Sequence, residues 1–165
     1  MYWERVSEQI YLFTSDRYAL VNSVAVVTDR GIIVIDGLPF PDEAKQIARF
    51  LEVRTGADFY SLILTHHHMD HAYGLFAFPE WLDVIGSELC RQRLLEVGEA
   101  SLAEARESDP AFEEVTLRLP TIALEKRRQN FNEVEQPWNE STALRQAKRC
   151  LRCDYGKQPC GLEHA

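Results

Sequence analysis

An α/β layered domain followed by a short helical, cysteine-bearing tail is the fold class that this sequence predicts. Two observations lead to it. Apolar, β-branched runs come first in hairpin-like pairs and then alternate with helical patterns, the order expected of a sheet with helices laid on it. Charge, cysteine and histidine content also change together near residue 124, which divides the chain into a domain at 1–124 and a tail at 125–165. A chain of 165 residues has room for one ordinary core and little else.

Glu8 to Thr14 carries Ile10 and Leu12 beside the aromatics Tyr11 and Phe13, a pattern that suits an early strand. Val21 to Thr28 and Ile32 to Ile35 are β-branched runs separated by Asp29-Arg30-Gly31, a turn that joins them as a hairpin. Pro41-Asp42-Glu43 opens a helix, with proline in its first turn and acids against the positive helix end. Ala44, Ile47, Ala48 and Leu51 then recur at helical spacing and mark the face that packs on the sheet. Phe59 to Leu64 reads as a strand leading into a histidine cluster, and Leu82 to Ile85 as another. Ser87 caps a helix carrying Leu89, Leu94 and Leu95, helical pattern continues from Glu99 to Glu107, and Ser108-Asp109-Pro110 stops it.

The net charge of −8 conceals the seam. Residues 1–124 hold 20 acids and 10 bases, whereas 125–165 hold 6 acids and 8 bases. Cys90 stands alone in the first part, while Cys150, Cys153 and Cys160 crowd the tail. The acidic balance argues against non-specific binding to nucleic acid or to an anionic membrane surface. Apolar runs such as Ile32 to Ile35 are too short to span a bilayer, and the segment after Met1 has no apolar signal core. A cytoplasmic protein with reduced thiols and no membrane partner is the expectation.

The chemistry concentrates in Thr65-His66-His67-His68-Met69-Asp70-His71. Side chains alternate along extended backbone, so His66 and His68 are expected on one side of the strand end and His67 on the other. Asp70 and His71 return to the same mouth as the chain enters the next helix. Neutral imidazole nitrogens and an anionic carboxylate suit a zinc-like or iron-like ion, and four such groups within six residues can address two adjacent ions. A histidine run can also be a surface patch that scavenges metal. The position after an apolar strand, with an Asp between histidines, favours a built site.

His66-x-His68-x-Asp70-His71 after an apolar strand resembles the HxHxDH motif of the metallo-β-lactamase superfamily. The upstream strand ending Val34-Ile35-Asp36-Gly37 is similar to that family's strand ending in Asp-Thr-Gly. The resemblance covers 1–124 and implies the N-terminal half of an αββα sandwich. It implies His66 and His68 on one metal, zinc or else iron or manganese, with Asp70 and His71 on a second and His67 as a spacer. Asp70 would also orient the nucleophile, as the catalytic residue, and Asp36 is either structural near the site or simply a turn acid. The implied reaction is hydrolysis by a metal-activated water acting on an ester, thioester or lactone-type substrate.

A full site of that family also needs a third histidine on the first metal, a bridging Asp or Cys and a final histidine on the second. No histidine occurs between Ala72 and Glu163, and His164 has no family motif around it. The expectation is therefore an incomplete metal site and a truncated sandwich, with weak metal binding and little hydrolysis by the monomer. A homodimer or a partner chain would complete such a fold.

In the tail, Asn139 caps a helix whose apolar face is Ala143, Leu144, Ala147 and Leu151. It runs into Cys150-x2-Cys153, followed by Cys160, a spacing suited to metal or redox chemistry. Residues 126–157 resemble a cysteine-bearing segment of NAD(P)H-dependent flavoprotein oxidoreductases of the glutamate synthase small-subunit type, which implies an iron–sulfur cluster. Three thiolates are one short of the usual four, and His164 offers a Cys3His zinc site instead. Unliganded thiols on an exposed helix are the plain alternative. Two other readings of the whole chain stand beside the hydrolase: an iron–sulfur or electron-transfer accessory segment, and a non-catalytic chimera joined near Leu124-Glu125.

Overall fold

Seven strands form one sheet in chain order among residues 1–125, which are the residues described by the structure, a computed structural model. They are β1 (Tyr2–Arg5), β2 (Ile10–Thr14), β3 (Asn22–Thr28), β4 (Gly31–Ile35), β5 (Phe59–Ile63), β6 (Val84–Ser87) and β7 (Ile122–Leu124). The first four pair antiparallel and the last four parallel, so β4 is where the sheet changes character. Short turns suffice for the antiparallel part, whereas a parallel pair needs a crossover. Helix α1 (Pro41–Thr55) is that crossover from β4 to β5. The α/β class expected from the sequence is the one found.

Side-chain alternation sorts the sheet into two faces. Tyr11, Ala25, Val34, Leu62 and Val84 lie in register across β2 to β6 and are all buried. Helix α1 presents Ile47, Ala48 and Leu51 to this core and buries Ala44 as well, with Pro41 starting it and Asp42 and Glu43 in its first turn. Full burial of a side chain such as Ile47 or Leu51 contributes about 1.5–3 kcal/mol. On the opposite face Leu12, Val24, Ile35, Ile63 and Ile85 form a second aliphatic row, half-buried.

After β5 come α2 (Met69–Ala72) and a 3-10 turn (Tyr73–Ala77), and after β6 a helical run in three parts. Helix α3 (Glu88–Arg93) is capped by the Ser87 hydroxyl, which accepts from the Cys90 amide at 3.1 Å. A π-helical turn (Leu94–Gly98) follows, then α4 (Glu99–Ser108). The run stops at Asp109, whose side chain caps the next 3-10 turn, as the Ser-Asp-Pro stop predicts. Arg118 ties the approach to β6 together. Its guanidinium donates to the carbonyls of Leu75, Phe78, Pro79, Glu80 and Leu82, with the shortest bond 2.6 Å to Leu82.

Three details depart from expectation. β1 and β7 were not foreseen, because an exposed Tyr-Trp-Glu-Arg edge and a three-residue strand carry no alternation to read. β6 begins at Val84 rather than Leu82, since Leu82 is already engaged with Arg118. The helical pattern from Ser87 to Glu107 contains a π-turn that apolar spacing did not indicate. No helix among the described residues is long and apolar enough to cross a membrane. The helix and cysteines expected in the tail, Cys150, Cys153 and Cys160 included, lie outside the described residues.

Candidate metal centre

Strand β5 ends at Ile63, and the histidines sit on the loop and short helix beyond it rather than on extended strand. His68, the residue before α2, is extended at φ −66° and ψ 150°, but the chain bends at His67, so 66–68 is not continuous strand. His67 and His68 both line one cavity with Asp70. His66, Asp70 and His71 converge instead: one ligand atom from each lies within 4.8 Å of the others. His71 Nε2 is 3.4 Å from Asp70 Oδ2, and the His66 and His71 rings are 4.1 Å apart between centroids. His68, expected beside His66, stands outside this trio, although its ring centroid is 4.8 Å from that of His66.

What holds the trio is Asp36, at the end of β4. Its carboxylate is 5% exposed and accepts three hydrogen bonds. The Thr65 amide donates to Oδ1 at 2.9 Å, the Thr65 hydroxyl to Oδ2 at 2.8 Å, and His71 Nδ1 to Oδ2 at 2.8 Å. The Thr65 hydroxyl has a single hydrogen and a carboxylate can only accept, so that hydrogen goes to Asp36. Thr65 Oγ1 must then accept from His66 Nδ1, 3.0 Å away. Both imidazoles are thus assigned their proton at Nδ1, and each keeps a bare Nε2. A carboxylate behind an imidazole is the arrangement that fixes tautomer and ring orientation in metal sites. Asp36 is therefore more than a turn acid.

The backbone here is strained in a way that serves this contact. Asp36 and Leu38 adopt φ of 61° and 64°, a region that residues with a Cβ seldom enter. The bend they make is locked against the start of the next helical turn. Gly37 N donates to His71 O at 2.8 Å, and Gly74 N to Leu38 O at 2.9 Å. A Cβ on Gly74 would lie 1.9 Å from the Gly37 carbonyl oxygen, so the two backbones can approach this closely only through glycine.

Burial is the main reason that the His66 imidazole holds its proton less readily than an ordinary histidine, with the charges of His71 and His68 adding to it. His67 shifts the same way, again chiefly by burial, then through His68 and Arg93. Neutral imidazole is the form that binds metal. Two neutral nitrogen donors and one carboxylate oxygen match the donor set of zinc-like and iron-like ions, so the residues present fit a metal. Thr65, Gly74 and the geometry of Asp36 are the parts that sequence reasoning did not assign, because every contact that defines them is long-range or depends on backbone conformation.

Residues 18–86 match the family model described as Metallo-beta-lactamase superfamily. No curated protein matches the chain. Among solved structures, a metallo-beta-lactamase from Pontibacter korlensis superposes with a TM-score of 0.53 at 16% identity, covering 74% of this chain and 52% of its own. One from Hirschia baltica gives 0.54 at 12% identity, covering 74% and 51%. One from Erythrobacter litoralis, solved with beta mercaptoethanol in its active site, gives 0.50 at 17% identity, covering 58% and 45%. These likenesses concern the fold, and the chain spans about half the length of the structures it matches. They do not extend support to the iron–sulfur resemblance of the tail. Residues 18–86 thus carry the metallo-β-lactamase superfamily match, and the described chain has part of the metallo-β-lactamase fold.

Proposed function

We propose that this chain is a metal-dependent hydrolase of the metallo-β-lactamase type, with His66, Asp70 and His71 as the ligands its described part supplies. The observation that carries the reading is the convergence of three ligand atoms within 4.8 Å, with both imidazoles oriented from behind by Asp36 and Thr65. An ion held there would supply Lewis acidity and a water acidified towards neutral pH. With Nδ1 bonded to Asp36, His71 would offer a bare Nε2 to an ion, and with Nδ1 bonded to Thr65, His66 would do the same. Asp70, with Oδ2 3.4 Å from His71 Nε2 and its side chain in the wall of a cavity, would both bind and accept a proton. His68 would join as a further ligand after a small side-chain movement, since its ring already neighbours that of His66. Esters, thioesters and lactones are the substrates proposed. Three ligands leave the centre short of a complete two-metal set, so slow turnover is part of the proposal.

The test is elemental analysis of the full chain after chelation and reconstitution with zinc, iron or manganese in turn, paired with hydrolysis of p-nitrophenyl acetate. About one ion per chain, lost in His66→Ala/His71→Ala together with any hydrolysis, supports the reading. No stoichiometric metal, or metal that survives the double variant, overturns it.

A further inference from the structure

A cavity of about 600 Å³ has Asp70 of the candidate centre in its wall, together with His67 and His68. That volume is within the range of roughly 300–1,000 Å³ common for small-molecule sites. Met69, Leu94, Val97, Ala105 and Phe112 line it with apolar surface. Among the described residues that line it, the acids are Asp70 and Glu104, and neither Lys nor Arg occurs. A carboxylate or phosphate entering here would meet like charge in a partly desolvated space, while an aliphatic group would find matching surface.

Two further features belong to the same wall. The π-turn Leu94–Gly98 places Leu94, Val97 and Gly98 on the cavity, and such turns recur where a helix is reshaped for function. Tyr73 also lines the cavity. It is 2% exposed, and its hydroxyl has no hydrogen-bond partner among the described residues. A buried phenol left unpaired is costly, and a ligand that brings an acceptor removes that cost. A phenol hydroxyl carries a hydrogen that it can donate.

We propose that this cavity binds the aliphatic part of an uncharged acyl substrate, with the Tyr73 hydroxyl as its polar anchor. The inference rests on the metal-centre reading only for where the reacting bond lies, beside Asp70. Binding itself needs no metal, which allows the two to be tested apart.

Octanamide is a suitable probe, being uncharged, aliphatic and equipped with an acceptor. Its binding to the metal-free full chain is read by ligand-observed NMR titration, with octanoate as the anionic counterpart. Saturable octanamide binding, about tenfold or more stronger than that of octanoate, is expected. Val97→Trp, which fills the cavity from a position already 42% exposed, should abolish it. Tyr73→Phe should weaken it about fivefold to tenfold without lowering the melting temperature, which a purely structural role would not produce. Equal affinity for octanoate, or binding untouched by Val97→Trp, would overturn the proposal. Octanamide binding without stoichiometric metal at reconstitution would sink the metal centre and leave the cavity standing. Stoichiometric metal without octanamide binding would do the reverse.

Discussion

Two pairs of histidines within six residues have opposite surroundings. His66 and His71 each spend one ring nitrogen on a fixed acceptor, Thr65 and Asp36, at 3.0 and 2.8 Å. His67 and His68 make no side-chain hydrogen bond among the described residues, and His68 is exposed. The pairs are alike in residue type and in position after the strand. They differ in whether something behind the ring decides which nitrogen is bare. A ligand becomes pre-organised by its second contact, and Asp36 provides that contact to one ring directly and to the other through a hydroxyl.

The strongest way to break this contrast is to move the platform under Asp36. Gly74→Ala would push a methyl group against the Gly37 carbonyl, and both partners are backbone, so no side chain can swing aside. A loss of about 3 kcal/mol in urea unfolding is expected, at the upper end for overpacking. Metal affinity should fall with it. An unchanged unfolding midpoint would mean that the turn after β4 is held by something else.

Asp36→Asn tests the contrast directly. The amide can still accept from His71, but it removes the charge that favours the Nδ1 proton. Metal affinity, read by competition with a chromophoric chelator, should drop about 10–100-fold. His67→Ala, by comparison, should change it less than about twofold, because His67 lies outside the converging trio. Similar losses in the two variants would erase the distinction between anchored and free histidines. Thr65→Val should fall between them, near the lower end of that 10–100-fold range, since it frees the His66 ring and removes one of three bonds to Asp36 but leaves His71 on Asp36.

Much of this architecture was legible before the structure. β2 to β5 follow from β-branched alternation, and α1 from Pro41 with apolar residues at helical spacing. The Ser87 cap comes from local side-chain chemistry and the stop at Ser108-Asp109-Pro110 from proline, and both are found. The motif at 66–71 could be read because its members are adjacent in the chain. What could not be read joins distant residues: Asp36 meets Thr65 and His71 across 29 and 35 positions. Nor does any pattern of hydropathy announce that an Asp will sit at φ 61°, or that a helix will widen to a π-turn at Leu94. His68 lies beside His66, with ring centroids 4.8 Å apart, although the chain leaves the strand after Ile63, and it stays outside the trio whose ligand atoms converge.

The gentlest test perturbs nothing but the proton. In long-range 15N spectra of the metal-free chain at neutral pH, His66 and His71 should appear as the Nδ1–H tautomer, and His67 and His68 as mixtures. On acidification the sign follows from burial. The folded state holds the His66 proton less readily than the unfolded chain, so the unfolded chain protonates first. Stability of the metal-free protein should therefore be indifferent to His66 above the ordinary histidine value of 6.5 and decline as pH falls below it. His66→Gln should flatten that decline in part, and His67, which shifts the same way, contributes to what is left. If all four histidines showed the same mixed tautomers, Asp36 and Thr65 would be neighbours of the centre without governing it.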